Sequence, residues 1–436
     1  MSIRLLIRQL IEYSFFRYIL GTVVILRLFW FWSTRQKYRQ FSEVCRLYRV
    51  VDIFPFREIA FHSIANIIRI CNKEKRNLMV EWFQNSREYI RIRDDFGSGE
   101  GKKHDVMWNM LVVKSFKENE KGVIILKYGE VFEALFTIYN IPKIIERYYL
   151  VFEMSWSGSC DPCYLMYWDS TNSVFVQTPE QKDYFFLERL HCNIRPIKLG
   201  SGDWVDPTLF QPNATFQKPY DVAMVAHWGK LKNHRVLFKA LRRIQREITL
   251  LLIGFPWGGR TKEDILNEYS ELLGKKSNIT LDLRENLAHA DVMTLLIQAK
   301  MQILLTSKEG GNKAIPEGLF LNVPAIVYDR NKGGTREKIN GQTGILSSFG
   351  NLHRNIEFML ENYGRFRPRE YVLKTTGSAI STRILNDKIK CVSLETNGSW
   401  TCDILEKVNS PSLKLKDESC SDLFVKDYDF ISKCKK

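Results

Sequence analysis

Twice along this chain, short runs of β-branched and aromatic residues alternate with helix-like segments, and the alternation breaks once, between residues 197 and 219. In the first half the runs are "VMWNMLVVK", "GVIILKY", "YYLVFEMS" and "SVFVQT", separated by segments such as "EVFEALFTIYN" and "EQKDYFFLERL". In the second half they are "YDVAMVA", "ITLLLIGF", "ITLDL", "QILLTS" and "PAIVY", with "NHRVLFKALRRIQRE" and "HADVMTLLIQA" as helices between them. Strands buried on both faces read as apolar runs, and parallel strands need crossover helices, so each half predicts a parallel sheet covered by helices. The break, "IKLGSGDWVDPTLFQPNATFQKP", is dominated by Gly, Pro, Asp and Asn and reads as an interdomain linker. The expected fold is α/β: two tandem Rossmann-like, doubly wound domains with a cleft between them, binding ligands outside the carboxyl ends of their strands.

A chain of 436 residues can bury two good-sized cores. The reading divides it into a basic hydrophobic N-terminal helix (1–40), a first α/β domain (41–200), a second (201–375), and a helical extension with a charged tail (376–436). The net charge of +15 calls for an anionic partner: nucleic acid, anionic lipid or a phosphorylated small molecule. That charge is spread along the chain and no nucleic-acid motif accompanies it, so nucleic acid is set aside. Nine cysteines, an odd count at irregular spacing, indicate a reduced, cytoplasmic protein rather than a disulfide scaffold. The one close pair, Cys160 and Cys163 in "CDPC", has no second pair to complete a metal set.

Residues 1–40 hold seven Lys and Arg against one acid, Glu12. Within "YSFFRYILGTVVILRLFWFW", Arg17 and Arg27 leave nine uncharged residues between them. A spanning helix needs about 20 apolar residues. No small-residue cleavage site follows, which argues against a secretory signal. A basic, aromatic-rich helix lying on an anionic membrane surface is expected, and with it a peripheral position on the inner face of the cytoplasmic membrane.

The stretch "TSKEGGNKAIPEGLFLNVPAIV", residues 306–327, carries the chemistry. The strand "QILLTS" delivers Lys308, Glu309, Gly310, Gly311 and Asn312 at its carboxyl end, and a helix starting near Lys313 carries Glu317. Glycines let the backbone approach a ligand, free N–H groups at a helix start favour phosphate oxygens, and Lys313 adds charge. A carboxylate at the strand end can accept from sugar hydroxyls, and one a turn into the helix can take a ribose diol. Phosphate between two diol-binding carboxylates describes a nucleotide-sugar.

The spacing Glu309–x7–Glu317, followed by "GLFLNVPAIVYDRNKGGTREKINGQTGIL", resembles the donor-binding signature of retaining GT-B glycosyltransferases, family 4 in particular. "FVQTPEQKDYFFLERLHCNIRPIKLGSGDWVDPTLFQP" and "VAHWGKLKNHRVLFKAL" are similar to other segments of that family, so the resemblance covers roughly residues 105–375. It implies that Glu309 contacts the transferred sugar, Glu317 the ribose, and the backbone of Gly310–Asn312 the diphosphate. The family's Lys in the first loop of the donor domain matches Lys232. At its Arg position stand His227, Trp228 and Lys230, and Lys230 can serve as a point charge. Arg284 follows a donor-domain strand where relatives hold the base. No His stands at the strand end of the first domain where many relatives carry one. Tyr128, Glu130, Glu153, Trp156 and Asp161 are the polar and aromatic candidates on that acceptor side, and Trp156 either stacks on a sugar or packs in the core.

The resemblance implies transfer of a sugar, with retention, from a nucleoside-diphosphate-sugar to a glycan or lipid-linked acceptor. Lys230 and Lys232 would stabilise the leaving diphosphate, so no metal and no cofactor are expected. The competing readings are a non-catalytic glycosyltransferase-like scaffold and a basic protein that binds membrane surfaces.

Overall fold

In a computed structural model, described over residues 14–70, 73–85, 105–154, 160–168, 172–212, 217–274, 278–309, 311–410 and 412–436, the chain divides into two compact units. The first comprises Met1–Lys198, Leu385–Leu405 and Glu418–Lys436; the second comprises Leu199–Ile384 and Glu406–Asp417.

The first unit opens with helices α1 (Ser14–Ser33), α2 (Lys37–Arg46), α3 (Phe56–Ile70) and α4 (Lys73–Gln84). Helical spacing puts Gly21, Val24 and Phe31 on the buried stripe of α1. Phe15, Tyr18, Ile19, Val23, Leu26, Phe29, Trp30 and Trp32 are left exposed. Arg27 folds back, its Nη2 2.7 Å from the buried carboxylate of Glu43 on α2.

A five-stranded sheet follows in the order β1 (Met110–Lys114), β2 (Gly122–Lys127), β3 (Tyr148–Glu153), β4 (Val174–Gln177), β5 (Ile194–Ile197). The connecting helices are α5 (Gly129–Ile138), α6 (Ile141–Arg147), α7 (Pro162–Leu165) and α8 (Gln181–Arg189). β2 to β5 are parallel, but β1 runs antiparallel to β2, which corrects the expectation of an all-parallel sheet. The connection from β1 to β2 is a tight turn, with Lys117 and Glu120 paired across it, too short for a crossover helix.

The second unit holds a six-stranded, wholly parallel sheet built from β6 (Tyr220–Val225), β7 (Ile248–Gly254), β8 (Ile279–Glu285), β9 (Ala299–Leu304), β10 (Ala325–Tyr328) and β11 (Gly344–Ser347). Side chains alternate along β7: Leu250 and Leu252 enter one core, Leu251 and Ile253 the other. The first core is closed by α9 (His234–Leu241), α10 (Lys262–Leu273) and, later in the chain, α13 (Leu352–Asn362). The second is closed by α11 (His289–Leu296), α12 (Ala314–Phe320) and α14 (Pro368–Thr375). Residues 199–212, read from sequence as part of a linker, pack into this unit: Trp204 is fully buried, and Val205 and Phe210 join the second core. The apolar side chains among the Gly, Pro and Asp decide their place.

Beyond α15 (Ser378–Glu395), a short antiparallel hairpin of β12 (Lys407–Val408) and β13 (Lys414–Leu415) belongs to the second unit. Residues 418–436, with α16 (Val425–Ser432), complete the first: Tyr148 donates its hydroxyl to Asp427 at 2.6 Å, and Val112 N–H donates to the Tyr428 hydroxyl at 3.1 Å.

Candidate functional site

The strand order of the second unit, β11-β10-β9-β6-β7-β8, reverses between β9 and β6. At such a reversal the loops leaving the carboxyl ends of the two central strands diverge, and open α/β sheets take their ligands there. Lys232 follows β6 and Glu309 follows β9, so the sheet itself brings them to one place.

The loop after β6 is held rigid. Trp228 N–H donates to Phe255 O at 2.9 Å, and Asn233, with φ of 60°, donates its amide to Leu305 O at 2.7 Å. This directs the Lys232 ammonium onto Glu309 Oε1, to which Thr306 Oγ1 also donates at 2.8 Å. Both charged side chains are close to buried, at 11% and 12% exposure, so each is the other's principal compensation for leaving water.

The Glu309 backbone is clamped by the loop after β10. Glu309 N–H donates to Lys332 O at 2.8 Å, Lys332 N–H to Ser307 O at 2.9 Å, and the Asn331 amide to Thr306 O at 2.8 Å. Gly333 has φ of 122°, and a Cβ there would stand 1.7 Å from Glu309 O. Only glycine fits.

Helix α12 then carries Glu317. The Asn312 side chain accepts from Ile315 N–H at 2.8 Å and fixes the first turn, in which Pro316 is also accommodated. Gly311 allows the close approach of Ser201, whose Cβ would lie 2.7 Å from an added Cβ. The Glu317 carboxylate is almost fully buried. Its Oε1 accepts from the Ser410 hydroxyl and lies 3.2 Å from His289 Nε2 at the start of α11. Neither Ser410 nor His289 stood out in the sequence. His289 had one signal, its place just beyond a strand's carboxyl end; Ser410 had none, lying far along the chain in a segment with no motif.

Lys230 is exposed on the turn before Lys232 and makes no ion pair among the described residues. Lys313 stands at the N-cap of α12. Arg284 is not brought to this group: it sits on edge strand β8, with Nε 2.6 Å from Asp282 Oδ1, and Tyr220 donates to the same carboxylate at 2.7 Å. Gly310 and Trp156 lie outside the described residues. Near Lys232, burial and then the neighbouring ammonium push the His227 pKa down to about 4, so its ring is neutral at pH 7. His227 Nδ1 accepts from Gly229 N–H at 3.1 Å, and the ring lies 5.3 Å from that of Trp257 and 5.9 Å from that of Phe255, both exposed.

In the first unit, Glu153 ends β3 fully buried, 3.7 Å from Lys127 at the end of β2. Tyr128, at φ of 74°, donates its N–H to Glu153 O, and Glu130 lies exposed in the first turn of α5. Asp161 caps α7, accepting from Cys163 N–H at 3.1 Å. Glu133, Asp161 and Cys163 place ligand atoms within 4.8 Å of one another, the one group among the described residues able to hold a metal ion. The capping bond already occupies one oxygen of Asp161.

Residues 205–372 match the family model of glycosyl transferases group 1. The matched stretch is less than half of the chain and contains Lys232, Glu309 and Glu317. No curated protein matches the sequence. Among solved structures, HepE from Anabaena, in complex with UDP-glucose, is 12% identical over 62% of this chain and 78% of its own, with a TM-score of 0.47. The sucrose-phosphate synthase of Thermosynechococcus elongatus is 14% identical over 63% of this chain and 73% of its own, with a TM-score of 0.45.

Proposed function

We propose that this protein is a retaining GT-B glycosyltransferase that moves a sugar from a nucleoside-diphosphate-sugar to a glycan or lipid-linked acceptor, without a bound metal, at the cytoplasmic face of a membrane. One observation carries the reading: Lys232 and Glu309 meet at the strand reversal, with Glu317 one short helix further on, inside the stretch that matches the family model. The departing nucleoside diphosphate gains negative charge as its bond to the sugar breaks. Lys232, with Lys230 two residues before it and Lys313 four residues beyond Glu309, supplies positive charge where that charge develops. Glu309 takes hydroxyls of the transferred sugar and Glu317 a hydroxyl of the ribose, since an ionised carboxylate is an acceptor only.

Thermal shift with a panel of UDP-, GDP- and ADP-sugars tests the reading. A matching donor raises the melting temperature by mass action, and NMR of the product then reports the anomeric configuration. Stabilisation by no donor, or Glu317→Ala binding donor as tightly as wild type, would count against it. Loss of transfer in EDTA would overturn the metal independence alone. Donor binding with neither transfer nor hydrolysis would favour the non-catalytic scaffold, a reading to which the internal engagement of both Glu309 and Glu317 gives some footing.

A further inference from the structure

Resting on Glu317 as the ribose carboxylate, we propose that Ser410 is a positioning residue that fixes how this carboxylate is shared, so that Glu317 offers the nucleoside one oxygen, Oε2, and accepts one ribose hydroxyl rather than two.

Ser410 reaches Glu317 from the hairpin of β12 and β13, in which Lys407 pairs with Leu415 and Val408 with Lys414. The hairpin is anchored to the body of its own unit. Asn409 N–H donates to Trp204 O at 3.1 Å, and the Asn409 amide to Ser201 O at 2.9 Å. Lys407 donates to Asn409 Oδ1 at 2.9 Å, its ammonium 4.0 Å from the centre of the Trp204 ring. Lys416 bridges Glu406 at 3.2 Å and Asp206 at 3.5 Å. The Ser410 hydroxyl is therefore delivered to a fixed point and is itself buried. A hydroxyl has a single proton to donate, and this one goes to Glu317 Oε1.

His289 Nε2 stands 3.2 Å from the same oxygen. Two partners fill the lone pairs of Oε1. Among the described residues none donates to Oε2. The carboxylate is itself almost fully buried, so it has little freedom to turn and exchange its oxygens. A carboxylate with both oxygens open could accept the 2′ and 3′ hydroxyls of a ribose, one on each. With Oε1 committed, one hydroxyl is read and the other is not.

Isothermal titration calorimetry on the full chain tests this, using whichever of UDP, GDP and ADP the wild type binds most tightly, together with its 2′-deoxy and 3′-deoxy forms. One deoxy form should bind roughly tenfold more weakly than the parent, the scale of one hydrogen bond to a charged group, and the other within about twofold. Ser410→Ala frees Oε1, so both deoxy forms should then bind more weakly than the parent. Ser410→Thr keeps the hydroxyl and should keep the wild-type asymmetry, which a merely structural role for the hairpin would not require. Equal losses for the two deoxy forms in wild type, a comparison that needs no variant to fold, would overturn the proposal. So would a folded Ser410→Ala protein that retains the asymmetry. In either case the ribose reading stands if Glu317→Ala still loses affinity. Failure of all three diphosphates to bind, or no effect of Glu317→Ala, would overturn the reading and the proposal together.

Discussion

At the scale of single residues, the Lys232–Glu309 pair sets stability and binding against each other. Two charges held at about a tenth of their exposure stabilise the fold only as a pair. Removing one strands the other, at a cost on the order of 3 kcal/mol. Lys232→Met should therefore lower the melting temperature and abolish nucleoside-diphosphate binding. The double variant Lys232→Met with Glu309→Gln should recover most of the melting temperature and none of the binding. Calorimetry and titration on the three proteins separate the two effects, and recovery of binding in the double variant would remove Lys232 from the diphosphate site. His234 makes a second argument at this scale. It starts α9 fully buried, with both ring nitrogens lacking a hydrogen-bond partner among the described residues, and its ring 5.6 Å from that of Trp228. Burial pushes its pKa from the ordinary 6.5 down to about 3, helped by nearby Arg260. The unfolded chain thus binds a proton more readily than the fold does between those values. Stability is complete above about pH 6.5 and falls as the pH drops toward 3. This one group should remove about 2 kcal/mol between pH 7 and pH 5. Urea unfolding of His234→Phe at both pH values should show a loss smaller by that amount. An identical acid loss in the variant would show that His234 does not titrate in this window.

At the scale of elements, the loops after β9 and β10 are tied together, because Glu309 N–H donates to Lys332 O and Lys332 N–H donates to Ser307 O across them. Gly333→Ala puts a methyl group where Glu309 O now stands, at a φ that side chains rarely adopt. The loops must part, and the variant should lose donor affinity at least tenfold while the far-ultraviolet spectrum of the two sheets stays unchanged. Full donor affinity in Gly333→Ala would mean that the Glu309 loop is not held by this contact. None of this clamp was legible in the sequence, whereas the Glu309–Glu317 spacing was, because both acids lie in one short stretch whose strand and helix announce themselves. The same physics divides the rest of the fold. β2, β3, β4, β6, β7, β9 and β10 are buried on both faces and read as apolar runs. β5 contains Arg195 and Pro196, which it tolerates as an edge strand of the first sheet, and β11 is a four-residue strand at an edge of the second, so neither gave a periodic signal. The antiparallel direction of β1 is decided by a short turn and not by its own residues. Ser410 reaches Glu317 across a long stretch of chain, and no local pattern encodes such a contact.

At the scale of the whole molecule, a net charge of +15 and the exposed apolar face of α1 would both act at the anionic membrane surface proposed above. By length and composition Phe15–Ser33 could cross a membrane. Crossing would take Arg27 from Glu43 and would strip Val24 and Phe31 from their packing. Lying flat keeps both and still buries the outward row of Phe15, Tyr18, Ile19, Val23, Leu26, Phe29 and Trp30 in the headgroup boundary. The full chain should therefore float with vesicles rich in phosphatidylglycerol and bind neutral vesicles far less. Raised salt should weaken the association without abolishing it, since screening reaches the charges and not the rings. Replacing Leu26, Phe29 and Trp30 together by Ser removes apolar area worth about 1.5–3 kcal/mol per fully buried side chain, and binding should fall by more than tenfold. Alkaline carbonate makes the decision between the two orientations: a helix lying on the surface is released, and a spanning one stays with the lipid. Retention in carbonate would overturn the flat orientation. Unchanged flotation of the triple Ser variant would show that the exposed face of α1 does not meet lipid, leaving the charge to act from elsewhere on the surface.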